Sequence, residues 1–544
     1  MSKVSHYLQD HVVGEVMTST DARHYFATDA SIFQQAPAVI VYPRNENDVR
    51  KTARFTWQLA ERGRIIPITA RGSGTDQTGA ALSSGIMMVF PAHMNRILEL
   101  DTKINTVTVE PGINYGKLQQ ALHTHGRFLP PYPASLEYST IGGAVANNAS
   151  GEKSVKYGDT RKYVKTLHVV LANGEIIETG RLSKRELSKK LGLATFEGEI
   201  YRSIDTLLEE QHDLIENLRL EVVKNNAGYN LLDIKHKDGS FDLTPLIVGS
   251  QGTLGVITEV VLSTEEHNPK TTLILGNFED VEQAHSTILE LVKLVDKPSA
   301  IELVDSKLLD QVQALNPNQL KDVLQPPFSS IILLVELDNS IRHIKKQTKQ
   351  VMNILEKHAT NLQVATNPDQ QQHLWKVRQA SSTILAHNQG LLQSVPIVDD
   401  AAVPLDKLPD YIAGLYQLFE SNNLTVGIWG HAGIANLHAY PRLNLGQVGD
   451  RQKAFRIIAD WHKMVISLGG TFSSESGDGR LHTPYLEALY GVEVYALLHK
   501  VKKVFDPYGT LNPGVKFGTT VDDMKAMIRS EYGQDHLYDH LPRS

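Results

Sequence analysis

The chain contains no cysteine. That absence excludes disulfides, thiolate zinc sites, Cys-ligated iron–sulfur clusters and a thiol nucleophile, and it leaves the redox compartment open. An excess of basic residues is missing too. Lys and Arg number 54 against 61 Asp and Glu, a formal charge of −7, so a cationic nucleic-acid-binding surface is not expected. No apolar run approaches the roughly 18–20 residues of a membrane-spanning helix, and the longest candidates, such as Ile331–Val335, are strand-sized. His6, Gln9, Asp10 and His11 interrupt any apolar stretch near the N-terminus, so no secretory signal is expected. Internal repeats and low-complexity linkers are also lacking. What is there is a 544-residue chain, 41% hydrophobic and 21% charged. This is ordinary globular usage, in two to four domains of about 100–200 residues each. A cytoplasmic protein is expected, with peripheral membrane contact and a homodimer both left open.

Ala38–Tyr42 is a β-branched run closed by Pro43 and reads as a strand. Val49, Ala53, Trp57 and Ala60 fall on one face of a helix over Asn45–Gly63. Ile65–Thr69, Gly85–Phe90, Ile104–Val109 and Val164–Ala172 add strands, and Asn173-Gly174 is a hairpin turn signal. This opening predicts an α/β domain. After Thr264 the pattern changes to Thr272–Leu275 (strand), Val281–Val295 (helix), Ala300–Val304 (strand), Ser306–Leu315 (helix), Ile331–Leu337 (strand) and Ile341–His358 (helix). That alternation predicts a separate α+β domain. Tyr485–Phe505 is a long helical segment stopped by Asp506-Pro507-Tyr508-Gly509. The polar tail 519–544, with His536, Asp539 and His540, is expected to be loosely attached.

Three glycine segments stand out. Arg71-Gly72-Ser73-Gly74-Thr75-Asp76-Gln77-Thr78-Gly79 lies between two predicted strands, and such a loop brings backbone N–H groups close to a phosphate. It is not the dinucleotide fingerprint, because the last glycine comes too late and a strand follows instead of a helix. Ser139–Gly151 is almost entirely small, and Val248–Thr258 carries Gly249, Gly252 and Gly255. Together they favour an extended flat cofactor over the plainer reading, tight packing.

Taken in order, RGSGT at 71–75, VEPG at 109–112, PPYPAS at 130–135, STIGGAVANNASG at 139–151, KYGDTRKYV at 156–164 and VGSQGTLGVITEV at 248–260 resemble the PCMH-type flavin domain of the vanillyl-alcohol-oxidase FAD enzymes. The nearest branch holds the D-lactate dehydrogenases, the D-2-hydroxyglutarate dehydrogenases and the glycolate oxidases. LWKVR at 374–378, GHAGIANLH at 430–438, GGTFSSESGDGR at 469–480 and FDPYGTLNPGVKF at 505–517 extend the resemblance over 35–518. It implies an α+β molecule. A two-part FAD-binding domain covers 35–265, a ferredoxin-like substrate or cap domain 266–484, and a C-terminal segment 485–518 completes the FAD site. An N-terminal segment, 1–34, and the tail flank them.

The resemblance further implies that Arg71, Gly72, Ser73, Gly74, Thr75 and Gly79 hold the FAD pyrophosphate. Thr140, Ile141, Gly142, Gly143, Ala146, Asn147, Ala149, Ser150 and Gly151 would lie beside the isoalloxazine and pyrophosphate, with Pro133, Ser135, Tyr157 and Gly158 also at the cofactor. Gly252, Gly255, Val256 and Ile257 would meet the adenosine side, and Asn512 and Lys516 would reach back from the final motif. Some relatives attach the flavin through a His in the first loop. Gly74 falls there, so non-covalent FAD is expected.

For the chemistry, the resemblance assigns Arg378 to the substrate carboxylate, which its planar fork suits; the plainer alternative is a surface ion pair. Ser382 falls where relatives place an assisting hydroxyl. The lysine that receives a second carboxylate in the hydroxyglutarate enzymes would fall near Val398 and is absent, which counts against a dicarboxylate. His431, His438 and Glu475 match a divalent-metal triad suited to Zn, Mn or Fe, with two structural histidines as the alternative. The histidines stand seven positions apart, so one straight strand would put them on opposite faces, and a bulge at Gly433 would repair this. Ile434 and Ala435 replace the Asp-Gly of relatives. Ser476 replaces their histidine base, and serine cannot take a proton unaided near pH 7; His482 is a nearby substitute. The reading is oxidation of a small D-2-hydroxy acid, D-lactate most simply. Electrons would go to a quinone, a cytochrome or an electron-transfer protein. The alternatives are an oxidase of another alcohol or sugar, the non-redox reaction of the ether-lipid synthases, and a flavin-binding homologue with altered turnover.

Overall fold

The computed structural model describes residues 2–386, 391–533 and 540–542. Strands apolar at every position need cover on both faces. Val39–Tyr42 and Ile86–Val89 are of this kind. They pair in parallel, and Ile68–Arg71 joins the far side of Ile86–Val89. This strand starts later than the sequence suggests, because Pro67 has no N–H to give to a ladder; its carbonyl instead accepts Ile86 N at 2.8 Å. Helix Glu46–Ala60 packs Val49 and Ala53 on this sheet, and helix Ser2–His11 adds Val4 and Leu8 to the same core. Glu15–Met17 pairs with Val39–Tyr42. The N-terminal segment is therefore built into the first domain.

A second sheet is antiparallel, in the order Ile97–Asp101, Thr106–Val109, Val256–Ser263, Val164–Val170, Ile176–Glu178. The turn before its last strand has Gly174 at φ 84°, as the Asn-Gly signal requires. Helices Tyr115–His123, Ile141–Asn147, Phe196–Glu210 and Leu486–Phe505 share its core. The last of these returns from the far end of the chain, bent at Gly491.

The third sheet has the order Asn361–Ala365, Thr272–Phe278, Ile331–Leu337, Ala300–Asp305, Trp429–His431, Asn436–His438, Ala401–Ala402. Its first four strands in chain order lie 4-1-3-2, the ferredoxin-like arrangement. Ile331, Leu333, Val335 and Leu337 face helices Val281–Val292, Ile341–Leu355 and Leu408–Glu420. Ile332 and Leu334 face helices Ser306–Leu315 and Pro368–Ala386 on the other side. Among the described residues, no helix is long and apolar enough to cross a membrane.

The tail departs from expectation. Helix Val521–Met527 opens with a capping box between Thr520 and Asp523 and buries Met524. Gln34 N donates to Met527 O at 2.8 Å, and Arg529 N to Ile32 O at 3.0 Å. Tyr532 Oη donates to Ala30 O at 2.9 Å. Residues 519–532 are thus docked, through apolar spacing hidden in a polar composition. His536 and Asp539 lie outside the described residues. Met524→Ala should cost about 2–5 kcal/mol, as for other buried large-to-small changes. A loosely attached tail would leave denaturant unfolding unmoved.

Candidate functional site

Strand Ile68–Arg71 delivers the chain into the first glycine loop. Asp76 folds that loop back by accepting Thr78 N, Thr78 Oγ1 and Ala80 N through one oxygen, at 2.8–2.9 Å. A cleft opens beside it. Gly72, Gly74, Gly142, Gly143, Gly252 and Gly255 line the cleft, with Arg71, Ser73, Thr75, Thr140, Ala146, Asn147 and Ile257. These are residues drawn from all three glycine segments. A Cβ on Gly72 would collide with Thr140 Oγ1, and one on Gly142 with Pro111. Gly252, at φ 72°, faces open space. Beneath the loop Arg71 is 1% exposed. Its Nη1 donates to Thr28 O at 2.9 Å, while Nε and Nη2 have no hydrogen-bond partner. Burial lowers its pKa to about 10. A buried cation short of partners is costly unless an anion answers it. The donor set, the glycine-lined walls and this cation fit the pyrophosphate of FAD. Among the described residues, no His, Tyr or Cys lines the cleft.

The remaining cofactor candidates lie around the cleft. Ile141 and Val256 are core residues. Gly79 O and Ser150 Oγ accept from Arg480 and Lys224, and Ala149 O from Thr160. Pro133 and Ser135 carbonyls close a turn onto Leu136 N and Ser139 N. Gly151 passes too close to Tyr132 O to carry a side chain, and Gly158, at φ 81°, ends helix Ser154–Tyr157. Tyr157 Oη donates to Asp338 Oδ2 at 2.7 Å, tying the two domains together. Asn512 Nδ2 donates to Ala80 O and Gln251 O, at 2.9 and 2.7 Å. Asp76, Phe90, Pro111 and Gln251 line the cleft without having been singled out. Asp76 and Gln251 sit inside two of the glycine motifs, the only signal they carry.

The second constellation is built on the third sheet. His431 and His438 lie on paired strands, Trp429 opposite His438 and His431 opposite Asn436. Opposed residues share a face, so both imidazoles point the same way. A short turn, Ala432–Ile434, joins the strands, which replaces the bulge expected at Gly433. Gly433 is needed for another reason: a Cβ there would strike Val155 of the first domain. Ala435 closes the turn at φ 52°, a left-handed position costing an L-residue about 1–2 kcal/mol.

Glu302 stands opposite His431 on the neighbouring strand. Its Oε1 accepts His431 Nδ1 at 2.7 Å and its Oε2 accepts Arg378 Nε at 2.6 Å. Asp399 accepts His438 Nδ1 in the same manner. Both Nε2 atoms then face Glu475, with the three ligand atoms within 4.8 Å of one another. His431 Nε2 and Glu475 Oε1 are 2.8 Å apart, yet neither has a hydrogen-bond partner. Two ligand atoms this close and unaligned, in a site where each imidazole is backed by a carboxylate, fit a divalent ion. Glu475 is itself held from behind: Asp400 accepts the backbone N–H of Glu475 and of Ser476 at 2.5 and 2.8 Å.

Other candidates separate here. Arg378 joins the cluster through Glu302, and Ser381 takes its Nη1 at 3.2 Å. Ser382 is exposed and donates to Gln379 O within its own helix at 2.6 Å; Ser381, one position earlier, is the hydroxyl beside Arg378. His482 is removed from the site. It lies 3.0 Å from His462 Nε2 among Trp461 and Phe472, where burial, then Lys516, lowers its pKa to about 3. Val398 is core. Sequence reading missed Lys224, which donates to Asn148 O and Ser150 Oγ at 2.8 and 2.6 Å and is lowered by burial to about 8. It also missed Asn226, which donates to Ser474 O at 2.6 Å and accepts from Asn148. Nothing in their isolated polar stretch marks them.

The motif after Ser476 joins the domains. Gly477 packs on the Gln251 side chain and Gly479 on Thr78, with no room for a Cβ at either. Arg480 donates to Gly79 O, Leu82 O and Pro513 O. Asp478 pairs with Lys516 at 2.7 Å, both fully buried.

Known proteins share this architecture. Residues 37–180 match the family model described as FAD binding domain, and 267–515 the one described as FAD linked oxidases, C-terminal domain. Glycolate oxidase subunit GlcD of Bacillus subtilis is 28% identical over 92% of this chain and 93% of its own length. D-2-hydroxyglutarate dehydrogenase of Escherichia coli is 29% identical over 93% of this chain, which spans 50% of that protein. The solved 4-ethylphenol oxidase of Gulosibacter chungangensis superposes with a TM-score of 0.68 over 96% of this chain and 98% of its own, at 14% identity.

The histidine pair sets a pH dependence. Burial alone would lower His431, but the Glu302 and Glu475 carboxylates raise it to about 10. Burial would likewise raise Glu475, and His431 and His438 hold it down at about 2. A raised imidazole pKa stabilises the fold fully below its unfolded value of about 6.5 and loses that contribution as pH rises through the folded one. In chelator, the melting temperature should fall as pH climbs from about 7 to 10, and His431→Gln should remove that part of the slope. An unaltered slope in the variant would show that His431 is not the group titrating.

Proposed function

We propose that this chain, whose two halves match the FAD binding domain and the C-terminal domain of FAD linked oxidases, oxidises a small D-2-hydroxy acid, D-lactate most simply, to the 2-oxo acid. FAD, when bound non-covalently in the cleft, supplies the hydride acceptor, and a divalent ion on His431, His438 and Glu475 supplies positive charge for a hydroxyl oxygen. One observation carries the reading: a single buried carboxylate, Glu302, holds Arg378 and His431 side by side. With Nε engaged by Glu302 and one Nη1 hydrogen by Ser381, the other N–H groups of the Arg378 terminal nitrogens remain for a substrate carboxylate, next to a residue of the candidate ion site. A carboxylate receptor next to a hydroxyl receptor suits a 2-hydroxy acid, whose two groups sit on adjacent carbons.

The roles of the chain's own groups follow. Arg378 binds and orients the carboxylate. Glu302 and Asp399 each take a hydrogen from an Nδ1 and so hold the imidazoles with Nε2 inward. Asp400 fixes the backbone under Glu475. The apolar, buried Val398 offers nothing to a second carboxylate, which supports a monocarboxylate. The electron acceptor belongs to the quinone, cytochrome or electron-transfer-protein class. Ser476 favours a second reading, a flavin-binding homologue with slow or altered turnover, because it supplies no base where one is needed.

An anaerobic screen of D- and L-hydroxy acids against flavin absorbance decides between them. D-lactate should bleach the flavin; bleaching by another alcohol or sugar alone, or by nothing, overturns the first reading. One FAD per chain should be released by acid, and flavin left in the acid pellet would show a covalent link. Arg378→Ala should weaken acid-dependent reduction by about 2–5 kcal/mol of binding while FAD stays bound. Unchanged apparent affinity would make Arg378 a purely structural partner of Glu302. Chelation should abolish reduction and leave the flavin in place, and Ser476→His should raise the rate. No stoichiometric metal on elemental analysis would end the ion assignment.

A further inference from the structure

One hydrogen-bond chain runs from the cofactor loop to the histidine pair. Gln77 sits in the first glycine loop between Asp76, which lines the cleft, and Thr78, whose carbonyl accepts Arg480 N and Leu481 N at 2.8 and 3.0 Å. Its carboxamide lies 2.7 Å from Tyr440 Oη, and that hydroxyl lies 2.8 Å from Asp399 Oδ2. The other oxygen of Asp399 holds His438 Nδ1. The Tyr440 ring is buried, 5.3 Å from that of Trp429.

The direction of this chain follows from counting hydrogens. The phenol of Tyr440 has one hydrogen to donate and two neighbours within reach, and the carboxylate of Asp399 can only accept. Gln77 must then present its NH₂ to Tyr440 Oη, an interchange of the carboxamide's two ends that leaves its outline unchanged. Gln77 thus donates to Tyr440, Tyr440 to Asp399, and His438 Nδ1 to Asp399. His438 is left with a bare Nε2 facing Glu475, the tautomer that binds an ion.

We propose that Gln77 and Tyr440 are positioning residues that link the seating of FAD to the ion affinity of His438, so that FAD and a divalent ion bind with positive coupling. This rests on the reading above, in which the chain holds both. The loop that lines the FAD cleft holds Gln77 against Tyr440, and the completed chain fixes Asp399 and with it the imidazole. An FAD that orders this loop therefore favours the same arrangement that readies His438 for an ion. Such coupling is reciprocal, because each ligand must change the other's affinity by the same factor.

The test measures Zn²⁺ affinity, by competition with a chromophoric chelator, on FAD-loaded and FAD-free chain. FAD affinity is measured by fluorescence quenching with and without Zn²⁺. In the wild type each ligand should tighten the other about tenfold, within the usual range for coupled sites. In Tyr440→Phe, which keeps the ring against Trp429, and in Gln77→Ala, both ratios should fall to about one. A factor that stays near ten in both variants, or a wild-type factor of one, overturns the coupling and leaves FAD and ion binding standing. A wild type that takes up no Zn²⁺ overturns the ion reading and the coupling together.

Discussion

Glu302 is a carboxylate with no exposure at all, and much of the second domain is arranged to make that tolerable. An unpaired buried charge would cost several kcal/mol. One of its oxygens takes a guanidinium N–H from helix Pro368–Ala386, and the other an imidazole N–H from the Trp429–His438 hairpin. Burial pushes Glu302 up, yet His431 and Arg378 bring it below the ordinary carboxylate value. Three elements far apart in sequence are thereby held at one register. The same arrangement recurs at Asp478, which is buried against Lys516 and also accepts Gly228 N at 2.9 Å. In each place an ion pair fixes where one element meets another, and the apolar cores fill the space between.

Much of this was legible in the sequence where physics is local. Ser306–Leu315 and Ile331–Leu337 occupy the very spans the apolar pattern sets, because a strand buried on both faces and a helix capped by Asp305 announce themselves. Glycines at 72, 74, 142, 143, 252 and 255 converge on one cleft; a Cβ has no room at Gly72, Gly74, Gly142 or Gly255, and Gly252 takes a left-handed φ. The histidines, Glu475 and Arg378 also meet as the motifs imply.

What failed to show was what depends on tertiary placement. Helical phase could not tell Ser381 from Ser382 as the neighbour of Arg378, and proximity in sequence made His482 look available when packing had taken it elsewhere. Asp399, Glu302 and Asn226 carry no pattern of their own; they matter because of what folds against them. The hairpin between His431 and His438 was hidden because Ile434-Ala435 lacks the turn residues such a connection ordinarily carries. Ala435 adopts the left-handed conformation all the same, held there by the strands on either side.

The docking of the tail on residues 30–34 bears on how this protein is made. Ala30 N donates to Gly74 O at 2.9 Å, Ala30 O accepts Tyr532, and Ile68 pairs with Leu511. Chains emerge from the ribosome N-terminus first and fold domain by domain. The first domain can therefore collapse early, but the walls of its cleft lack their last supports until residues 511–532 have left the exit tunnel. Lasting capture of the cofactor is thus deferred until that stretch has emerged, and a ribosome stalled before residue 511 would hold a chain with its core formed and its cleft unfinished.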